Sequence, residues 1–238
     1  MTGTAERVLR QLRRDPRTVA LLVVVPALLM TLLRFMFNSP RAFSAVAPAL
    51  LGIFPFLLLF LVTSIATLRE RISGTLERLM TTPLAKLSLL AGYALGFALL
   101  ALLQVVVTTS VCLLLGMTVH GSLAWLLLVT MTDALLGVAL GLLASAFATT
   151  EFQAIQLMPV VVLPQLLLCG LFQPRPEMAQ LLRWASDVLP VTYAVDALQR
   201  VAASASVSGE LLRDFAVLAG YVVAAIALAA ASLRRTTA

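Results

Sequence analysis

The side chains able to do chemistry in this chain are few and lie far apart. Asp133 sits deep in an apolar stretch, where a carboxylate at bilayer depth costs roughly 2.5 to 3.5 kcal/mol. It must therefore face protein or a water-lined cavity, and Thr130 and Thr132 stand beside it. A structural or cavity-lining role is the simpler reading. A proton relay is the sharper one, but no lysine, arginine or histidine is placed at depth to partner it. His120 is the only histidine and falls in a short loop, where a solvated ring is expected. Lys86 is the only lysine and follows Ala85, so no phosphate loop of the form GxxxxGK[ST] exists here. HExxH and GxSxG are absent, and a single deep acid cannot make an aspartyl dyad. Cys112 and Cys169 lack CxxC spacing and read as buried, reduced thiols rather than metal ligands or a disulfide. The chain is not expected to be an enzyme, and it is expected to bind no metal or cofactor itself.

The elements that would position these residues are nearly all membrane helices. Apolar residues make up 61% of the chain and the mean hydropathy is +1.02, so lipid is the relevant solvent. A span needs roughly 20 mostly apolar residues. Six fit, at about Thr18 to Phe37, Ala47 to Leu68, Leu87 to Gly116, Leu123 to Ala148, Ile155 to Phe172, and Phe215 to Leu233. The expected fold is an all-α integral membrane protein with one six-helix domain over 18–233, a basic segment at 1–17 and a short tail at 234–238. The small residues Ala45 to Ala47 could mimic a signal-peptidase site. They lie well past the end of the first apolar stretch and precede Pro48, so an uncleaved span is expected.

The net charge of +6 is distributed as topology requires rather than as nucleic-acid binding would require. Arg7, Arg10, Arg13, Arg14 and Arg17 precede span one; Arg69, Arg71, Arg78 and Lys86 lie between spans two and three; Arg234 and Arg235 follow span six. With six spans these regions share one side, which the positive-inside rule makes cytoplasmic. A multi-pass protein of the cell membrane with both termini in the cytoplasm follows. Arg34, near the outer end of span one, is expected to snorkel.

Residues 69–84, RERISGTLERLMTTPL, are too short and too charged to span. Ile72, Leu76, Leu79, Met80 and Leu84 recur at helical spacing on one face, with Glu70, Arg71, Glu77 and Arg78 largely elsewhere, so an amphipathic helix at a water or protein boundary is predicted. Gly92 and Gly96 in span three, Gly137, Gly141 and Ser145 in span four, and Gly220 and Ala224 in span six form small-residue stripes that allow close helix packing. Pro48 and Pro55 in span two, and Pro159 and Pro164 in span five, free backbone carbonyls and bend helices that border cavities or moving parts. Phe54, Phe56, Phe60, Met158 and Gln165 would give such a cavity a mostly apolar wall. The last outer segment, 173–213, carries an amphipathic helix with Met178, Leu181, Leu182, Ala185, Val188 and Leu189 on one face and Trp184 suited to the interface. Pro190 ends it, and Asp196 with Arg200 forms an i,i+4 pair on a second short helix.

Two stretches resemble the type-2 ABC transporter permeases, the class that includes the daunorubicin-resistance exporter permeases. One is ERxxGTLERLxxTPL from Glu70 to Leu84, ahead of Gly92. The other runs from Leu163 through Cys169, Gly170, Leu171, Phe172 and Pro174 to Pro190, Val191, Thr192, Tyr193 and Gln199. Met178-Ala179 stands where relatives often have Met-Pro. The resemblance covers almost the whole chain. It implies an ATP-driven exporter in which two permeases, identical or paralogous, pair above two cytoplasmic ATPase subunits that bind ATP and Mg. Residues 69–84 would be the coupling helix, with Glu70, Arg71, Gly74, Thr75, Leu76, Glu77, Arg78, Leu79 and Pro83 contacting the ATPase. Spans two and five would border the dimer axis, so the expected substrate pathway contains Phe56, Phe60, Asp133, Met158 and Gln165. An apolar cavity suits an amphipathic drug, a polyketide-like molecule or a lipid. The rivals are a proton-coupled secondary transporter using Asp133 and a membrane scaffold that does not transport.

Overall fold

The computed structural model describes residues 16–73 and 86–232, and among them it contains helices and no strand. Six helices are long and apolar enough to cross a membrane: α1 (Pro16–Phe37), α2 (Pro40–Ile72), α3 (Lys86–Leu114), α4 (Leu123–Phe147), α5 (Glu151–Leu168) and α8 (Gly209–Ser232). Between α5 and α8 lie a 3-10 turn at Arg175–Glu177 and two shorter helices, α6 (Gln180–Val188) and α7 (Pro190–Ala203). Six spans place the α2 exit and the α4–α5 turn at one end of the bundle, called here the Arg69 face. The α1–α2 turn, the α3–α4 loop and the α6–α7 region share the far face.

Local sequence explains the helix ends. Ser39 caps α2 by accepting from the Ala42 N–H, and Pro40 occupies the first helical position, where a missing N–H costs nothing. Thr150 caps α5 by accepting from Gln153 N–H, while the Gln153 side chain reaches back to the Thr149 N–H at 2.9 Å, a close variant of a capping box. At the end of α3, Gly116 takes φ +94, and the Gly116 and Met117 N–H groups donate to Leu113 and Cys112 carbonyls. This is a Schellman stop, and only glycine adopts that backbone without strain. The Arg34 guanidinium donates to the next orphan carbonyl, Leu115, at 2.9 Å. Arg34 thus completes a helix end.

The core is built on α2 against α4. A Cβ placed on Gly137 would lie 2.4 Å from the Phe56 carbonyl, and one on Gly141 would lie 2.6 Å from that of Phe60. The two backbones therefore touch, which is what the small-residue stripe predicts. About 61% of the spanning windows of α2 and α4 is buried, against 17% for α1, α5 and α8, so the latter three present their apolar sides outward. α2 runs unbroken through Pro48 and Pro55, and α5 through Pro159 and Pro164.

α7 departs from the expected surface helix. Val191, Ala194, Val195, Ala197, Leu198 and Val201 are buried, and the helix packs into the bundle between α2, α4 and α8. Its charges pair elsewhere than predicted. Asp196 takes Arg175 at 2.6 Å, while Arg200 takes Glu210 and Asp214, so the i,i+4 pair gives way to contacts with neighbouring elements. α6 keeps the predicted amphipathic character, with Leu181 and Trp184 exposed.

Candidate functional site

Three consecutive side chains at the end of α2 are each tied to a different helix. Arg69 forks onto Glu151 of α5, with Nε to Oε1 at 2.8 Å and Nη2 to Oε2 at 2.9 Å. Glu70 accepts a hydrogen bond from the Tyr93 hydroxyl of α3. Arg71 donates through Nη1 to the Ser145 carbonyl in the last turn of α4, an orphan acceptor at the negative end of the helix dipole. Residues at i, i+1 and i+2 on a helix point in three directions, so one helical turn reaches all three neighbours.

The three ties differ in weight. The Arg69–Glu151 pair is exposed, with side-chain accessibilities of 59% and 45%, so it orients more than it stabilises. Glu70 and Tyr93 are buried, at 6% and 2% exposure. A hydrogen bond from a buried hydroxyl to a charged acceptor contributes about 1.5 to 3 kcal/mol. Helix α2 ends immediately afterwards, where Ser73 donates to the Glu70 carbonyl at 3.1 Å. Three successive residues at this end of α2 thus join it to α5, α3 and α4.

Of the residues expected to contact an ATPase, Glu70 and Arg71 lie in this cluster, while Gly74, Thr75, Leu76, Glu77, Arg78, Leu79 and Pro83 lie outside the described residues. Ile72, the first apolar residue of the amphipathic pattern, is 61% exposed at the α2 exit. Tyr93, Glu151 and the Ser145 carbonyl were not anticipated. An acid opening the helix after the α4–α5 turn, on the same side as Arg69, was the available signal.

The expected pathway residues are placed inside the helical bundle. Phe56, Phe60, Asp133 and Gln165 are buried, and Met158 is half-buried on α5. Phe60 borders an apolar cavity of about 180 Å³ with Leu140, Leu143, Phe147, Leu157 and Val161. Gln165 donates to the Val161 carbonyl at 2.9 Å and accepts from the Val191 N–H at 3.4 Å, which ties α5 to the start of α7. Neither Asp133 oxygen has a hydrogen-bond partner among the described residues. The carboxyl packs against the bare backbone at Gly52 of α2, where an added Cβ would come 3.2 Å from Oδ2 and 2.8 Å from Leu198 of α7. Thr130, one turn earlier, spends its hydroxyl on the Leu126 carbonyl at 2.8 Å, so it does not serve the acid.

On the far face the Pro190-Val191-Thr192-Tyr193 stretch is a joint. Pro190 opens α7, the Ser186 hydroxyl donates to the Leu168 carbonyl at 2.8 Å and approaches Thr192, and the Tyr193 hydroxyl donates to the Asp187 carbonyl at 2.6 Å. Arg175 bridges Asp187 and Asp196, pinning the 3-10 turn over α7. Burial pushes the Asp196 carboxyl above the usual carboxylate range, with Arg175 pulling the other way. Cys112 and Cys169 are buried free thiols, and no group of metal-binding side chains occurs among the described residues.

The described residues thus form a six-span helical bundle whose α2 exit is tied to three neighbouring helices and whose α7 packs between α2, α4 and α8. The chain belongs to the ABC-2 type transporter family, whose model matches residues 4–202. It is 29% identical over 156 residues to ABC transporter G family member 20 of Dictyostelium discoideum, covering 65% of this chain and 21% of that protein. It is 27% identical over 161 residues to the probable multidrug ABC transporter permease YbhR of Escherichia coli and 28% identical over 170 residues to YbhS of the same organism. Those matches cover 66% and 70% of this chain but 43% and 45% of the two permeases, less than half of their length.

Proposed function

We propose that this chain is the transmembrane permease subunit of an ATP-binding cassette exporter, with ATP and Mg bound by a separate ATPase. The observation that carries the reading is the anchoring of Arg69, Glu70 and Arg71 to three helices, at the start of the amphipathic segment that matches the family motif. A push on residues 74–84 would be delivered to α3, α4 and α5 at once. The rigid α2–α4 pair would then carry it towards α7 and the far face, as expected for a two-state change of packing. Two ATPase copies and a second permease, identical or paralogous, complete the proposed assembly in the cell membrane, with both termini and residues 69–84 cytoplasmic.

The proposed cargo is an amphipathic or lipophilic compound, such as a drug, a polyketide-like molecule or a lipid. Support comes from the apolar walls near Phe60 and from the multidrug description of the two E. coli relatives. Since Phe56, Phe60 and Gln165 face inward within one protomer, they would shape the pathway by setting how α2, α5 and α7 pack. Met158, half-buried on α5, is the member of the set best placed to meet cargo directly.

The buried, unpartnered Asp133 keeps a second reading in view, a proton-driven transporter. The energy source separates the two. Export from membrane vesicles should require ATP hydrolysis by the partner and persist when the proton gradient is collapsed. Export that ignores ATP but stops with the gradient, and is lost in Asp133→Asn, would favour the rival.

A further inference from the structure

A recess of about 580 Å³ opens on the far face between the first turns of α2, the α3–α4 loop and the end of α7. Arg41, Thr118, His120 and Gln199 line its polar part, and no carboxylate is among its lining residues. The contrast with the neighbouring recess of about 560 Å³, across Gln199, is one of charge compensation. There Arg175 and Arg200 are held by Asp187, Asp196, Glu210 and Asp214. The Arg41 side chain makes no hydrogen bond or ion pair with any described residue.

The remaining polar groups line the same recess. His120 is fixed by its backbone N–H, which donates to the Ala202 carbonyl at 3.0 Å, and by its ring Nδ1, which lies 2.9 Å from the same oxygen. A carbonyl only accepts, so Nδ1 carries a proton, and in the Nδ1–H tautomer Nε2 is the ring's acceptor. The Ser44 hydroxyl is already engaged by the Gly116 carbonyl and the Thr118 N–H, which locks the floor of the recess. Below the polar rim, Ala45 and Pro48 follow Arg41 along the same side of α2, and Pro48 lies roughly 10 Å deeper at 1.5 Å per residue. The wall thus runs from a bare cation at the rim to an apolar surface within the membrane, in the order of a lipid's phosphate and acyl chain.

We propose that this recess binds a membrane phospholipid through its phosphodiester, with Arg41 on the phosphate and His120 Nε2 accepting from a donor on the headgroup. A glycerol headgroup supplies such a donor. A choline headgroup does not. The site is independent of the ATPase assignment and rests only on the bundle's geometry.

Native mass spectrometry of the full-length chain in mild detergent tests it, with added phosphatidylglycerol, acyl-matched phosphatidylcholine or inorganic phosphate. One phosphatidylglycerol should be retained per chain in preference to phosphatidylcholine. Arg41→Gln should weaken its retention about tenfold, the scale of losing one charged hydrogen bond. His120→Phe should erase the preference for glycerol over choline, and Arg183→Gln, in the other recess, should change nothing. Equal retention of both lipids, or undiminished phosphatidylglycerol on Arg41→Gln, would overturn the proposal. Displacement of the lipid by inorganic phosphate at comparable concentration would show a free-anion site and overturn the lipid as its occupant.

Discussion

The Tyr93 hydroxyl of α3 donates to the Glu70 carboxylate of α2 in a buried contact one turn from the end of that helix. Its neighbours on either side, Arg69 and Arg71, reach α5 and α4. The exit of α2 is therefore a junction of four helices, and several consequences are measurable.

Tyr93→Phe keeps the ring's packing and deletes one donor to a buried acid. It should destabilise the purified protein by about 1 to 3 kcal/mol, read as a lowered midpoint in a thermal scan. Glu70→Gln in the same background should cost less than it does alone, because the two residues share one interaction. Strict additivity would mean that the contact contributes little.

Close backbone packing of α2 on α4 predicts a sharp positional contrast among glycines. Gly137→Ala puts a Cβ against the Phe56 carbonyl, and overpacking of this kind costs typically 1 to 3 kcal/mol. Gly220→Ala meets nothing within 4 Å and should be neutral. Gel-filtration profiles of the two variants should separate cleanly, with aggregation confined to the first.

The fold was legible in the sequence to the extent that hydropathy decides it. All six spans were anticipated, but α2 and α8 begin well before their apolar windows. At α2 the Ser39-Pro40 cap starts a helix whose first turns carry Arg41 and Ser44. At α8 the early charges Glu210 and Asp214 are compensated by Arg200, so a charged turn becomes helical. The burial of α7 was hidden for a related reason. Its polar residues suggested a solvated helix, yet Asp196 and Arg200 find partners on other elements while Ala194, Ala197 and Leu198 pack inward. Partners distant in sequence, such as Glu151 for Arg69 or Gly52 for Asp133, follow from the bundle's arrangement and leave no local pattern.

The Arg69–Glu151 fork predicts a charge-swap result. Arg69→Glu alone should impair ATP-driven export without impairing insertion, because both groups lie at the exposed end of the bundle. Arg69→Glu combined with Glu151→Arg should restore part of it. No restoration would indicate that Arg69 acts through a contact other than Glu151.

Asp196 should make the far face pH-sensitive. Its folded pKa lies above the usual carboxylate range because burial outweighs the opposing pull of Arg175. A carboxyl that binds its proton more tightly when folded favours the fold at low pH and loses that contribution as pH rises through the folded pKa. Thermal scans across this interval should show wild type losing stability relative to Asp196→Asn as pH rises. Parallel pH profiles for the two proteins would contradict the assignment.

The proposed coupling through the α2 exit is tested most directly by substrate-stimulated ATP hydrolysis of this chain reconstituted with the proposed ATPase partner. Gly74→Trp and Leu76→Asp should abolish stimulation or ATPase binding while the permease still inserts. Arg78→Ala should do less, since truncating an interface anchor costs over about 2 kcal/mol and a rim charge usually costs less. Normal ATPase co-purification and normal stimulated hydrolysis in both severe variants would reduce residues 69–84 to an interfacial anchor and contradict the account.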